Sequence, residues 1–334
     1  MVSAKEIAER LGVSPTTVSL VLNNKKGVGS ETRRRILALA KELGYNKKYH
    51  PLPGPERTVR LVIFKNERES IVNSFPEYVT EGVTTRAEQL GFTVQISYIT
   101  RKDLLRQPVS TLFSESSGII LFGTEASRSD LAMLTDLKAP VVLLDNCYDD
   151  LSFNTVMIGN RQGVFNAVKY LIDNGHTNIG FAGSSRDLAS FAERQEGFLK
   201  AVTSDPRTKK SEDNIFVLPS TIHDIYESFR QQLITLKEIP TAFVLRYDLI
   251  ANICYQVFND LGYSIPDDIS VIGFDNNPIC ELITPKLTTV AVPMQSIGIL
   301  AINRLEEMMS GTAQENVRID VLPKLLIRDS VKRI

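Results

Sequence analysis

Ser3-Ala-Lys-Glu-Ile-Ala-Glu-Arg-Leu-Gly-Val-Ser-Pro-Thr-Thr-Val-Ser-Leu-Val-Leu-Asn23 reads as two short helices joined by a tight turn. This is the helix-turn-helix pattern, in which the second helix enters the major groove of DNA. Ser3 with Glu6 three residues on is a capping-box start for the first helix, and Ile7, Ala8 and Leu11 form its buried stripe. Gly12 supplies the backbone freedom of the turn. Ser14 is a good N-cap, and Pro15 stands at the first helical position, where its missing N–H costs nothing. Val18, Val21 and Leu22 face the first helix, which leaves Thr16, Thr17, Ser19, Leu20 and Asn23 outward. A third helix follows, capped by Ser30, with Ile36, Leu39, Ala40 and Leu43 at helical spacing and Gly44 as its stop.

Charge follows the same division. Residues 1–60 hold twelve Lys/Arg and five Glu with no Asp, a net +7, against −8 for the remainder and −1 for the 334-residue chain. A basic head on an acidic body confines phosphate attraction to the head. The alternative, a three-helix domain with merely solvated lysines, does not account for caps, turn and basic third helix arriving in order.

The length suits two or three domains, and 43% hydrophobic with 23% charged residues is ordinary for a soluble globular protein. No apolar run approaches a membrane span, and a capped helix rather than a signal peptide opens the chain, which argues for the cytoplasm. Cys147, Cys254 and Cys280 are widely spaced and suit a reducing compartment as structural fillers. Residues 46–57, with Pro51, Pro53 and Pro55 at alternate positions, form a linker that resists a regular helix. Beyond it, strands at 60–64, 92–98, 118–122, 141–145 and 156–158 make one expected sheet. Strands at 179–182, 215–218, 242–245, 270–274 and 288–290 make a second. Helices at 78–89, 164–174, 191–202, 225–235 and 249–261 alternate with them, so the fold class is α/β, a two-lobed, doubly wound parallel-sheet body behind a helical head. Ligands of such folds lie at the carboxyl ends of the strands, between the lobes.

Several ordered motifs now combine: Val13-Ser14-x-x-Thr17-Val18-Ser19-x-Val21-Leu22-Asn23, Pro140-Val-Val-Leu-Leu-Asp145-Asn146, Asn174-Gly-His-Thr-Asn-Ile-Gly180, Glu193-Arg194-x-x-Gly197-Phe198, Ile265-Pro-Asp-Asp-Ile-Ser-Val-Ile-Gly-Phe-Asp275 and Pro285-x-Leu287-Thr288-Thr289-Val290. With these the chain resembles the lactose/galactose-repressor (LacI/GalR) family of bacterial transcription regulators, from Ser3 to about Ser330. The resemblance implies a head at 1–46, a proline-rich linker at 47–58 and an effector-binding, dimerising body at 59–334. Lobe one would take about 59–158 and 292–316, lobe two about 161–289 and 320–332. The implied partners are double-stranded operator DNA, a small sugar-like effector and a second copy of the chain, with no membrane and no cofactor. The implied function is a repressor of carbohydrate genes; the alternative is a small-molecule sensor or solute-binding module without regulated DNA binding.

By the same resemblance, base-reading positions fall on Pro15, Thr16 and Leu20, with Thr17 beside them. Backbone-positioning contacts fall on Ser3, Ser14, Ser19, Asn23 and Thr32. Leu20 stands where the family usually carries Arg; leucine makes no bidentate contact to guanine and either touches a thymine methyl or adds packing. The family's hinge-helix motif is replaced by the three prolines, with Leu52 as the one wedge candidate for the minor groove. Cleft positions fall on Phe75, Pro76, Asp145, Arg194, Tyr247, Asp248 and Asp275. Carboxylates accept hydroxyl protons, Arg194 donates a fork of hydrogen bonds, and an aromatic ring covers an apolar sugar face. Tyr247 replaces the family's Asn before Asp248. For Arg194 the competing role is a structural ion pair, for Asp275 a turn cap, and for Phe75 ordinary core. His176, after the helix-ending Gly175, reads as satisfying local backbone groups. No metal-ligand spacing, phosphate loop or nucleophile elbow is present in the sequence, so enzymatic activity is not expected.

Overall fold

In the computed structural model, residues 4–22, 28–43, 58–65, 75–186, 188–209 and 214–334 are described. The chain divides into two units, one built on the head and one on the body. In the head, α1 (Ala4–Leu11), α2 (Pro15–Leu22) and α3 (Ser30–Glu42) enclose Ile7, Ala8, Val18, Val21, Ile36 and Ala40. Gly12 takes φ +63°, and the amides of Gly12 and Val13 donate to the carbonyls of Glu9 and Ala8. These two bonds are the Schellman closure that glycine permits. Ser14 caps α2 as expected: its Oγ accepts from the Thr17 amide at 3.0 Å. The third helix corrects one expectation. It begins at Ser30 itself, and the Arg33 amide donates to the carbonyl of Gly29, so Gly29 holds the cap position. Ser3, Asn23, Gly44, the linker and its Leu52 lie outside the described residues.

The body contains two six-stranded sheets rather than two of five. The first runs β11–β5–β4–β3–β1–β2, from β1 (Thr58–Phe64), β2 (Thr93–Ile99), β3 (Gly118–Phe122), β4 (Val141–Leu144), β5 (Asn154–Ile158) and β11 (Arg318–Val321). The second runs β12–β10–β9–β8–β6–β7, from β6 (Ile179–Ser184), β7 (Ile215–Leu218), β8 (Ala242–Leu245), β9 (Ser270–Asp275), β10 (Thr288–Ala291) and β12 (Lys324–Leu326). Each sixth strand comes from the C-terminal segment. β11 pairs parallel with β5, whereas β12 pairs antiparallel with β10 and so departs from the all-parallel expectation. The chain thus passes between lobes after β5, after β10 and after β11. The last passage lies between Val321 and Lys324, so residues 317–321 belong to lobe one and not, in part, to lobe two.

Helices cover the sheets where glycine allows close approach. In lobe one, α4 (Phe75–Leu90) crosses α9 (Met294–Met309) at Gly82 and Gly298. A Cβ on Gly82 would sit 2.1 Å from the Gln295 carbonyl oxygen, and one on Gly298 would sit 2.3 Å from that of Val79. In lobe two, α5 (Asn160–Asp173) crosses α6 (Ala189–Ser204), and a Cβ on Gly197 would sit 2.3 Å from the Arg161 carbonyl oxygen. On the other face of the second sheet, Phe216 and Phe243 pack against Phe229 of α7 (Ile222–Ile234) and Phe258 of α8 (Ala251–Asp260), with neighbouring ring centres 5.0–5.8 Å apart. Gly197→Ala is therefore expected to push α5 from α6 and destabilise the body by ~2 kcal/mol. Thermal denaturation followed by circular dichroism checks this.

Candidate functional site: two lobes meeting at buried carboxylates and an arginine

Of the expected cleft residues, Asp145, Tyr247, Asp248 and Asp275 stand at the carboxyl ends of strands, and these strands come from both sheets. Asp145 follows β4 in lobe one, with φ +53°. Asp275 ends β9 in lobe two with φ +105°, and Asn276 follows at +60°. Left-handed backbone at non-glycine residues is a strain that the surrounding structure holds in place. Arg194 rises from α6 between them and is 4% exposed. Its Nε donates to Asn160 Oδ1 at 2.9 Å, Nη1 to the Arg246 carbonyl at 2.5 Å, and Nη2 to Asp275 Oδ1 at 3.2 Å. The guanidinium also lies 3.7 Å from the centre of the Phe274 ring, a favourable cation–π placement. Three of its five N–H donors are engaged in these bonds among the described residues. The ion pair proposed as the competing role for Arg194 is present.

Asp145 is buried, and only one of its oxygens is bonded among the described residues: Thr124 Oγ1 donates to Oδ2 at 2.8 Å, while Oδ1 has no partner. A buried acceptor left unmatched is a costly state that a ligand hydroxyl or N–H relieves. Burial pushes the Asp145 carboxyl up to about 7; Thr124 and Arg194 pull it down, and the Asp275 and Glu193 carboxylates push it up. Asp275 is likewise raised by burial against the pull of Arg194. Asp145 of lobe one thus sits in the electrostatic field of Arg194 and Asp275 of lobe two.

Asp248 and Tyr247 take a different place. Asp248 is fully enclosed: Oδ1 accepts from Thr289 Oγ1 at 2.7 Å and Oδ2 from the Asn277 amide at 2.7 Å. Burial, then the charge of Asp275, raises its carboxyl to about 7. Its hydrogen bonds tie the segment after β8 to β10 and to the turn after β9. Tyr247 is buried and stacks on Phe191 with ring centres 6.0 Å apart. Pro76 is half-buried in the first turn of α4, its carbonyl accepting from Thr80 Oγ1. The Phe75 side chain lies outside the described residues.

Sequence reasoning missed several participants. Thr124 bonds Asp145, Asn160 bonds Arg194 and Glu193 bonds Asn160, and Phe191 stands three residues before Arg194 on the same helix. That i, i+3 spacing was a readable signal for Phe191; Asn160 sits in none of the quoted motifs. Arg186 of lobe two pairs with Glu125 of lobe one at 2.9 Å, a further contact between lobes. Arg246 is 1% exposed and clamps the carbonyls of Gly183, Leu218 and Pro219. His176 corrects its expectation. Its partners are Thr241 Oγ1 at 2.9 Å and the Lys332 carbonyl at 3.0 Å, both distant in sequence.

In the head, Pro15 and Thr16 are exposed, while Thr17, Ser19 and Leu20 are half-exposed beside the buried Val18 and Val21. Thr17 Oγ1 lies 2.8 Å from Ser14 Oγ, which fixes both hydroxyls at the start of α2. Thr32 is half-exposed in the first turn of α3. The outward set read from the sequence is thus the accessible side of α2 as far as it is described.

Residues 3–48 match the family described as bacterial regulatory proteins, lacI family, and residues 168–331 match the periplasmic binding protein-like domain. The NTD biosynthesis operon regulator NtdR of Bacillus subtilis is 30% identical over 334 residues, covering 99% of this chain and 100% of that protein. The HTH-type transcriptional repressor PurR of Photobacterium profundum is 28% identical over 346 residues, covering 99% of each. Among solved structures, a transcriptional regulator CelR–cellobiose complex aligns with a TM-score of 0.73 at 23% identity, covering 99% of this chain and 100% of the other. The lac repressor dimer bound to operator aligns with a TM-score of 0.71 at 22% identity over 99% of each. At these identities the structural likeness speaks for the fold.

The raised carboxyls give a pH dependence. The unfolded Asp145 carboxyl titrates near 3.8 and the folded one near 7, so the folded state holds the extra proton between those values. The stability this contributes is complete below the unfolded value and lost as pH rises through about 7. Asp145→Asn is expected to gain on the order of 4 kcal/mol over the native body at about pH 8 and little at about pH 4. Asp248 and Asp275, also raised by burial, add slope of the same sign. Denaturant titrations at both pH values check this.

Proposed function

The chain belongs to the LacI family of bacterial transcription regulators, and from that premise we propose a dimeric repressor of carbohydrate genes whose operator affinity is set by a sugar-like molecule held between the lobes. One observation carries the effector part. A buried, half-partnered carboxylate of lobe one, Asp145, lies in the field of a lobe-two arginine with two N–H donors unmatched among the described residues. A polyol supplies both a hydroxyl proton for Asp145 Oδ1 and oxygens for Arg194, and neither lobe alone offers that pair. The stacked Phe191 and Tyr247 place an aromatic surface beside Arg194, whose guanidinium lies 5.8 Å from the Phe191 ring centre. The cellobiose named for CelR is consistent with this chemistry.

The mechanism follows from differential contact. A ligand that bonds Asp145 and Arg194 together stabilises one relative placement of the lobes over others. Two copies joined through their bodies hold two heads at a spacing that matches two half-sites of a near-palindromic operator. A change of lobe placement alters that spacing, and operator binding and effector binding are then reciprocally linked. Base reading falls to Pro15, Thr16, Thr17 and Leu20. Leu20 offers an apolar contact to a thymine methyl where an arginine would have read guanine. Ser14, Ser19 and Thr32 supply contacts to phosphate, as do Ser3 and Asn23 by their family positions.

Fluorescence anisotropy with the upstream DNA of its own gene, against scrambled DNA at several salt concentrations, tests the proposal. Specific affinity is expected to fall steeply with salt, and Thr16→Ala with Thr17→Ala to relax sequence preference by about 1–3 kcal/mol. A sugar panel that includes cellobiose is expected to contain a member that shifts the native curve and not that of Arg194→Met. Equal weak binding to both DNAs, unmoved by any sugar, would overturn the reading.

A further inference from the structure

A continuous hydrogen-bonded chain leaves the cleft and passes behind it, through the crossing segments, into lobe one. Asp275 Oδ1 accepts from Arg194 Nη2, and Arg194 Nε donates to Asn160 Oδ1. Asn160 Nδ2 donates to Glu193 Oε2 at 3.1 Å, and Glu193 Oε1 accepts from Arg318 Nη2 at 3.0 Å. Arg194 and Glu193 belong to α6 of lobe two. Asn160 opens α5, two residues after the chain leaves β5. Arg318 belongs to β11 of lobe one, where Nη1 also donates to the sulfur of Cys147 at 3.1 Å and Nε to Asp320 Oδ1 at 2.9 Å. Cys147 lies two residues beyond Asp145. The hydrogen-bonded chain therefore joins Asp275 of lobe two, through Arg194, Asn160, Glu193 and Arg318, to Cys147 on the lobe-one segment that carries Asp145.

We infer that Glu193 is a positioning residue that converts the state of Arg194 in the cleft into the orientation of lobe one, through Asn160 on one side and Arg318 on the other. The proposal rests on the operator reading above and assigns a role to residues outside the effector contacts. Its geometry is specific. Glu193 is 8% exposed, so both of its oxygens are committed to protein donors, one in each direction. A buried carboxylate holds the Asn160 amide strongly, because Asn160 is fully enclosed and has no bulk water as a substitute. Arg318 is the movable end: its side chain is 39% exposed and, with Glu193 and Asn160, borders a cavity of about 270 Å³. Rotation of lobe one about the crossings carries Arg318 from Glu193 into that space. A ligand group that draws on Arg194 changes its hold on Asn160, and Asn160 and Glu193 pass the change to the contact on which lobe orientation depends.

Glu193→Gln tests this at constant volume. Glutamine has one acceptor oxygen, so either Asn160 or Arg318 loses its partner. The readout is affinity for a duplex selected by the native full-length protein from a random-sequence pool, which requires no identified sugar. Glu193→Gln and Arg318→Gln are each expected to change that affinity at least about fivefold. The double variant is expected to change it no further than the larger single effect, because both break one chain. Arg161→Gln removes a 3.9 Å approach to Glu193 that is not part of the chain and is expected to stay within about twofold.

Single variants within about twofold of the native affinity, or two effects that multiply in the double variant, would overturn the inference. A loss of melting temperature with unchanged affinity of the folded protein would also overturn it, since that is what a purely structural pair gives. Failure of the native protein to enrich any duplex would instead remove the operator reading and this inference with it.

Discussion

A guanidinium withdrawn from water is the constraint on which the cleft depends. Moving an ion of this kind into a protein interior costs several kcal/mol unless its donors are matched and its charge is balanced. Around Arg194 the match comes from the Asp275 carboxylate, the Asn160 amide oxygen, the Arg246 carbonyl and the Phe274 ring face. These groups come from the end of β9, the start of α5 and the end of β8, so the position of one charge fixes how several chain segments of lobe two end. Asp145 of lobe one lies within that field, which makes the balance of charge in lobe two depend on where lobe one sits.

The rest of the body is arranged so that such a dependence has something to move. Each lobe is rigid for its own reasons: central parallel strands buried on both faces, and helices drawn together at Gly82, Gly298 and Gly197, where a single Cβ meets backbone. Between lobes the connections are three short crossings and a few polar contacts, among them Arg186 with Glu125 and Arg318 with Glu193. Packed cores resist deformation, whereas polar contacts exchange partners at modest cost, so motion concentrates between lobes. Asp248 belongs to the rigid side of this division. With both oxygens bonded within lobe two it holds the floor of the cleft together.

Much of this was legible in the sequence, for reasons that are local. The head announces itself through Gly12, Ser14 and Pro15, whose backbone preferences act within a few residues and appear in the structure as a Schellman turn and an N-cap. The alternating strands and helices of the body were legible because strands buried on both faces are short apolar runs. β11 and β12 were not: Arg318–Val321 and Lys324–Leu326 are edge strands, charged and half-exposed, and their pairing partners lie far back in the chain. Ser30 was misplaced by one position because Gly29, with no side chain to signal a cap, caps α3 through its carbonyl. Asp145, Arg194 and Asp275 could be named from motif positions. The partners that hold Arg194 could not, because Asn160 is 34 residues away and acts through a contact that only the packed α5–α6 pair creates.

The central claim is that occupancy between the lobes and operator binding act on one variable, the placement of lobe one relative to lobe two. Pulsed electron paramagnetic resonance between spin labels at Lys102 in lobe one and His223 in lobe two measures that variable. It would compare the operator complex with protein saturated by a sugar that changes operator affinity. Two distinct distance distributions, each favoured by its own ligand, are what the account requires. A single distribution, unchanged while operator affinity changes, would contradict it.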